Sequence, residues 1–587
     1  MTEPLANPTP YPWGPEKYGI ERVVDFSPRL KVLPKRVSVD VENNADGPFA
    51  GIGFYDGGDQ VFFFTRINDL VKAWLSSAQI VGQNFKSDMH KLREWGVEIR
   101  PEQLVFDTRI ASYTLNSRGQ DHGLKEQAKR ILGIEYPKFS DIVTIDVPKK
   151  SGEGTKKAKL NFGELPLDLR SSYNGMDCIA TWKLAEHYEQ TLTSDQRWYF
   201  DRLVRLERVL YKMERSGIKI DPAYLEELDA EFQKEEEQAK QNFFNHVGAT
   251  LNPNSPEQVL EALNKLGFKL KGTDQKKDLS PIKGEPVVAA LIKYKQIQKL
   301  RSTYTRTLAD RAKRDSLSRL HTNFSQSTDT GRLASSDPNL QNIPAHSERG
   351  KKIRQAFVPE EGKVFVVADY SQIDLRVLAH ESAEPVWVES FLTNGDPHKA
   401  TACKVFKKQP DEVDEDMRYK AKTLNFTLTY GGGGGGVASQ LGVNYQEGVD
   451  LVRSFNRGLP GFSRWSFAAY RRATTEGSIS TLLGRRIPIP ELQSSDMRGR
   501  REGERLVKSY HGQGGAGDVV REAMIACDAA GYTPLLQVHD ELVFEVAAEE
   551  AENARLLIEN IMRNIVKLRV PLDVKAGIGK SWLEAKH

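Results

Sequence analysis

Residues 535–546 read Leu-Leu-Gln-Val-His-Asp-Glu-Leu-Val-Phe-Glu-Val, and no other stretch constrains the fold as tightly. Two short apolar runs, rich in β-branched or bulky residues, flank the polar centre His539-Asp540-Glu541. That pattern predicts two strands joined by a hairpin turn. Asn-Gly or Asp-Gly would make the turn more simply. Here two adjacent carboxylates repel each other beside a His, and a bound cation would offset the repulsion. A solvated acidic turn is the plain alternative. Residues 364–369, Val-Phe-Val-Val-Ala-Asp, decide between them. They predict a second buried strand that also ends in a carboxylate. Asp369 and Asp540, both at strand ends, can share divalent metals, as two-metal phosphoryl chemistry requires.

A chain of 587 residues has room for three or four domains of ~150 residues. Lys plus Arg (83) nearly equals Asp plus Glu (80), so net charge does not by itself declare a nucleic-acid partner. The distribution is more telling: residues 498–521 are crowded with Arg and Lys, and 149–159 read as a Lys-Gly-Ser loop. Cys178, Cys403 and Cys527 are far apart, with no metal-finger spacing, which predicts a reducing compartment and no disulfide framework. The absence of a signal peptide or long apolar run predicts a cytoplasmic chain with no membrane partner.

In chain order, residues 1–30 are Pro-rich and read as a loosely ordered lead-in. Residues 36–42 alternate as a strand does, so Asp40 and Glu42 share one face. A strand with a merely wet face competes with a functional one. Asp88 follows a short apolar strand at the start of a helix through Leu92 and Trp95. Tyr173 and Asp177 stand at i and i+4 on one helix face. Four carboxylates and a phenol in this pattern can assemble a metal-bound hydrolytic centre. The Asp-x-Glu, Asn-x3-Asp and Tyr-x3-Asp elements resemble the three motifs of DEDDy-type 3′→5′ exonucleases, and residues 106–113 resemble the same domain.

Residues 198–317 turn helical and charged. Residues 226–241 read as a solvated Glu-Gln-Lys helix face, and 287–308 as a basic helix. Together they suit an arm that grips a nucleic-acid backbone or a plain helical hairpin. Residues 330–344, with Arg332, Asn339 and Gln341, form a polar segment. It is either a surface loop or a contact surface for backbone and minor groove. Arg418, Lys422, Phe426 and Tyr430 recur every fourth residue, two cations and then two aromatics. On a helix that stripe matches a nucleoside triphosphate. Six glycines follow, 431–436, and should end or loosen the helix. Residues 483–488 mark a turn, and Arg505 and Gln513 lie eight apart on a predicted helix.

Asp-Tyr-Ser-Gln-Ile-Asp-Leu-Arg (369–376), Arg-x3-Lys-x7-Tyr-Gly (418–431) and Val-His-Asp-Glu-Leu-Val-Phe (538–544) resemble, in order, motifs A, B and C of family A DNA polymerases, the DNA polymerase I class. Residues 330–344 resemble that class too. The resemblance implies an α/β (α+β) chain: an RNase H-like exonuclease domain (31–195) and a right-hand polymerase. The latter would divide into thumb (196–320), palm (321–380 and 501–587) and fingers (381–500). It implies two Mg²⁺ ions per active site, replaceable by Mn²⁺, held by Asp369, Asp540 and the Tyr370 carbonyl, with Glu541 in support. Arg418 and Lys422 would hold phosphates, Lys422 as a candidate general acid. Phe426, Tyr430, Asp374 and Gln372 would bound the nucleotide. Arg332, Asn339, Gln341, Arg505, Gln513 and His539 would touch DNA. In the exonuclease, Asp40, Glu42, Asp88 and Asp177 would bind metals and Tyr173 would position water. The implied partners are primer-template DNA, dNTPs and a single-stranded 3′ end, and the implied state is a monomer.

Two departures stand out. Asp374 replaces the family's usual Glu, which predicts a gap beside Tyr430 and weaker exclusion of ribonucleotides; the competing reading is that the helix bearing Tyr430 sits closer and restores the contact. The glycine run replaces a mixed sequence that includes an aromatic. The chain leaves no room for a 5′-nuclease domain and shows no large thumb insert, a compact layout that resembles phage-encoded enzymes. A damage-bypass or repair polymerase of the same family, or a nucleic-acid-binding exonuclease without polymerase activity, are the competing functions.

Overall fold

A computed structural model describes residues 11–25, 34–45, 47–148, 155–345 and 347–586. The N-terminal part is built on a six-stranded sheet. Its spatial order is Glu21–Val24, Gln60–Phe64, Phe49–Tyr55, Arg36–Asn43, Gln79–Gly82, Leu104–Asp107. Arg36–Asn43 pairs antiparallel with Phe49–Tyr55 and parallel with Gln79–Gly82. Its odd residues, Val37, Val39 and Val41, are buried in a core with Phe54, Phe64 and Trp74. Period-two alternation therefore turns Asp40 and Glu42 to the opposite face, towards the Leu167–Thr191 helix. From that helix Asn174 donates to Asp40 at 2.7 Å.

Two expectations need correction here. The lead-in is not all loose: Glu21–Val24 is a parallel edge strand on Gln60–Phe64, four residues being too few to display a period. Residues 1–10 and 26–33 lie outside the described residues. In the predicted Lys-Gly-Ser loop, 149–154 lie outside the described residues, and Thr155–Lys159 is a strand paired antiparallel with Thr144–Pro148.

The second sheet has four strands in the order Leu536–Val538, Glu541–Ala547, Lys363–Tyr370, Val574–Gly579. The predicted hairpin is present, and its turn is His539-Asp540, with His539 at φ 60°. Register places Asp369 opposite Glu541 on one side and Lys575 on the other. The sheet shares one core with the 33-residue Met497–Ala529 helix and the Ala551–Asn564 helix. The long helix approaches Ile373–Ser382 closely because Gly515 has no side chain: a Cβ there would come within 2.6 Å of a Val377 methyl.

Between the sheets lies a helical arm. Pro222–Val247, N-capped by Asp221 with Pro at its first position, packs against Pro286–Leu300. The Glu-rich face of the first helix is not simply solvated. Asp229 accepts from Arg301 at 3.0 Å and from Arg306 at 3.0 Å, and Glu236 accepts from Arg301 at 2.5 Å. Arg301 is 5% exposed, so these carboxylates dock the arm's second helix. Sequence cannot separate a docking acid from a solvated one, because the partner lies about 70 residues away.

A buried cluster ties the first sheet unit to the Ser194–Ser216 helix and the Asn323–Ser325 strand. Lys86 bonds Glu214 and donates to the Phe324 carbonyl at 2.5 Å. Glu214 also meets His90 at 2.7 Å and the Phe324 N–H at 2.6 Å. Burial pushes the Glu214 carboxyl up, but the His90 bond and the Lys86 charge outweigh it and hold it below its ordinary range. Removing one partner of a buried pair strands the other charge. Glu214→Ala should therefore cost about 3–5 kcal/mol in the first denaturant-unfolding transition, and Glu214→Leu with Lys86→Met together should cost much less. A Glu214→Ala loss below ~1 kcal/mol, the scale of a surface pair, would show that water relieves Lys86.

Candidate active site

Asp369 ends the central strand of the second sheet, and Asp540 sits in the adjoining hairpin turn. The Tyr370 N–H donates to the Asp540 carbonyl at 3.2 Å, which holds the two segments together. Burial, then the charge of Asp369, pushes the Asp540 carboxyl up to about 7. Asp369 is also raised, by burial first, while Lys586 pulls it down. Asp369 Oδ1 is buried with no hydrogen-bond partner. An orphaned carboxylate oxygen beside a second raised carboxyl is a donor set that fits a divalent cation. Glu541, opposite Asp369 in register, is almost wholly buried and turns its oxygens to Trp582 Nε1 at 2.6 Å and to Lys586.

Asp369, Tyr370, Gln372, Asp396, Arg418 and Lys586 line one cleft of about 790 Å³. Arg418 comes from the Glu415–Thr429 helix, N-capped by Asp414. That helix buries Ala421, Leu424 and Leu428 and exposes Lys422 and Phe426, so the predicted stripe is its outer face. Phe426 is 40% exposed and stacks on Tyr430 at 6.4 Å and 9°. Arg418 is held by Asp396 at 2.5 Å. Sequence reasoning missed His398, which is buried, 5.7 Å from the Phe426 ring and bonded by Asn425 at 2.9 Å. Its signal was Asp396-Pro397-His398, an N-cap and first-turn Pro opening a helix. Burial pushes its pKa down to about 4, so the ring is neutral at pH 7.

The expected gap between Asp374 and Tyr430 is absent. The Tyr430 hydroxyl donates directly to Asp374, and Arg332 Nη2 donates to both Asp374 oxygens at 2.9 and 3.1 Å. The contact that a gap would have broken is therefore made with the shorter side chain. Arg332, His539 and Asp540 also line a common small cavity. Of the other predicted DNA contacts, Gln341 is tied to Gln537 at 2.8 Å and exposed Asn339 accepts from the Gln341 N–H at 3.0 Å. Arg505 is exposed and paired with Glu502 at 2.5 Å, and Gln513 is half-buried on the same helix.

The glycine run does two things, not one. Gly431, at φ 78°, ends the helix where a Cβ would lie 2.5 Å from the Arg505 carbonyl. Gly434–Leu441 is then itself a helix, so the last three glycines start an element where only loosening was expected. The buried Val437 and Ala438 hold that helix down.

In the first sheet unit, Asp40, Glu42 and Asp177 bring ligand oxygens within 4.8 Å of one another. Burial, then neighbouring carboxylates, raises Asp40 and Glu42 well above their ordinary range. Asp88 stands outside that trio, 3.6 Å from Lys91, and burial pushes it up to about 7. Tyr173 is buried one turn before Asp177. Sequence reasoning missed Lys125, which pairs with Asp177 and lies 4.2 Å from the Tyr173 ring centroid. It also missed Tyr136, whose hydroxyl donates to Asp177 at 2.6 Å. Among the described residues no helix is long and apolar enough to cross a membrane.

A carboxyl raised to about 7 favours the fold while protonated. That contribution is complete below its unfolded value of about 3.9 and is lost as the pH rises through about 7. Between pH 5 and pH 8 the unfolding midpoint of metal-free wild type should therefore fall relative to that of Asp540→Asn, and saturating Mn²⁺ should restore it. A midpoint difference that stays flat with pH would remove the case for a raised Asp540.

The model of DNA polymerase family A matches residues 222–584. The chain is 38% identical over 421 residues to the thermostable DNA polymerase I of Thermus filiformis, covering 69% of this chain and 50% of that one. It is 32% identical over 596 residues to DNA polymerase I of Bacillus subtilis, covering 97% and 66%. The solved POL domain of Pol1 from M. smegmatis, in complex with DNA primer-template and dNTP, superposes with a TM-score of 0.80. It shares 28% identity, over 94% of this chain and 97% of that one. The chain spans about half the length of the first curated relatives it matches. Matched by the family model over residues 222–584, with Asp369 and Arg418 lining one cleft, the chain belongs to DNA polymerase family A.

Proposed function

We propose that the protein is a template-directed DNA polymerase that adds dNTPs to a primer 3′ end, and that its first sheet unit is a 3′→5′ proofreading exonuclease. The observation that carries the polymerase reading is the single cleft that joins Asp369 to Arg418, with Tyr430 bonded to Asp374. Asp369, Asp540 and the Tyr370 carbonyl would hold two Mg²⁺ ions, or Mn²⁺. These would acidify the primer hydroxyl and neutralise the triphosphate. Arg418 and Lys422 offer cations for the phosphates, and the Phe426–Tyr430 stack offers a face for sugar and base. The two-stranded hairpin and the polar 330–344 segment offer Arg332, Gln341 and His539 to the primer end.

The exonuclease reading is supported by the Asp40–Glu42–Asp177 grouping with buried Tyr173 beside it. The helical arm takes the thumb's place in this reading, residues 321–380 and 501–587 the palm's, and 381–500 the fingers'. A monomeric state belongs to the same proposal.

The two activities should separate. Asp369→Ala or Asp540→Ala should abolish primer extension, each removing a metal ligand, and leave degradation of single-stranded DNA intact. Asp40→Ala with Glu42→Ala should do the reverse. Extension above a few per cent in either palm variant would sink the polymerase site, and undiminished degradation in the double variant would sink the exonuclease.

Asp374 decides sugar choice in this reading. Because Tyr430 already touches it, Asp374→Glu should crowd the phenol and lower kcat/KM for dATP and ATP alike. Asp374→Ala should free Tyr430 and Arg332 and erode the dATP preference. An Asp374→Glu enzyme that sharpens the preference without loss on dATP would show instead that a gap exists.

A further inference from the structure

Glu541 is the second acid of the hairpin and is almost wholly buried. Both its oxygens are taken by the segment after the last strand. Trp582, fully buried against Phe357 and under the Arg354 guanidinium, donates its Nε1 to Oε1. Lys586 bonds Oε2. The same ammonium lies 3.6 Å from Asp369 Oδ2 and lines the cleft with Arg418, its side chain 31% exposed. Asp369 thus faces a cation with one oxygen and has the other, Oδ1, buried and unpartnered.

We propose that Lys586 is a positioning residue for the polymerase carboxylates: a tethered cation, delivered by the Trp582 anchor, that balances Asp369 and Glu541 before a divalent ion binds and that the ion must work against. The inference rests on the polymerase reading of Asp369 and Asp540. Its physics is Coulombic. Three carboxylates crowd one strand end, and an ammonium bridging two of them offsets their mutual repulsion while no metal is bound. A metal ion at Asp369 then meets a like charge at short range. Loss of that charge should tighten metal binding and weaken the metal-free fold, whereas a merely structural peg would weaken both states and leave affinity alone.

The test uses the full chain with Asp40→Ala and Glu42→Ala, so that the exonuclease grouping does not report. Mn²⁺ binding is followed by calorimetry, and thermal unfolding is followed with and without saturating Mn²⁺. Lys586→Met should lower the Mn²⁺ Kd on the order of tenfold, the effect of removing one nearby charge in a partly screened site. Its loss of Tm should be confined to the metal-free state. Lys586→Arg, which keeps the charge, should stay within about twofold of wild type on the same argument. An unchanged Kd in Lys586→Met, or an equal loss of Tm with and without metal, overturns the proposal. Binding that survives Asp369→Asn would overturn the polymerase-site reading itself, and this inference with it.

Discussion

Asp369 and Asp540 are held side by side by backbone pairing that neither can relax. The register that sets Asp369 opposite Glu541, and the N–H of Tyr370 on the Asp540 carbonyl, are part of the sheet. Packing of Val366, Val543 and Phe544 beneath them stabilises that sheet, and the repulsion among the acids is carried as a local cost. The surroundings answer with positive charge: Lys586 on Asp369 and Glu541, Arg354 against Glu541, Arg332 against Asp374. A site that concentrates like charges on rigid strands is prepared for a divalent ion, because little has to move when one arrives.

The same physics recurs in the first sheet unit with different parts. There the acids come from a strand and a facing helix, and the cations near them are Lys125 and Lys91. Tyr136 and Tyr173 close the site with two phenols, and burial raises both. In both places a carboxylate group sits at the margin of a sheet where backbone geometry, not side-chain choice, sets the spacing.

The Glu415–Thr429 helix carries Arg418, Lys422 and Phe426 on its outer face and Tyr430 at its end. Its apolar face packs into the core, so its polar and aromatic face is left outward, with Arg418 at the cleft. Flanking backbone is less comfortable: Gln372 and His539 both hold left-handed φ, 55° and 60°, at the two turns just before Asp374 and Asp540. Neither residue type is among those that adopt this conformation at no cost, and strain of this kind persists where surrounding structure over-determines it.

Much of the site was legible in the chain because its signals are local. Period-two alternation put Asp40 and Glu42 on one face, four-residue spacing put Arg418, Lys422, Phe426 and Tyr430 on another, and apolar runs ending in Asp marked Asp369 and Asp540. What stayed hidden depends on contacts between distant segments. Lys586 reaches Asp369 across more than two hundred residues, Lys125 meets Asp177 through a fold of the first unit, and Arg301 turns a Glu-rich face into a docking surface. The glycine run could announce a break in one helix but not the start of the next, since Val437 and Ala438 hold that helix by tertiary burial. The sequence by itself determined which side chains could do chemistry and on which face of which element they lie. Only the tertiary structure decided which of them meet, how far Tyr430 stands from Asp374, and which cations balance the acids, because those are properties of packing between elements and carry no local period.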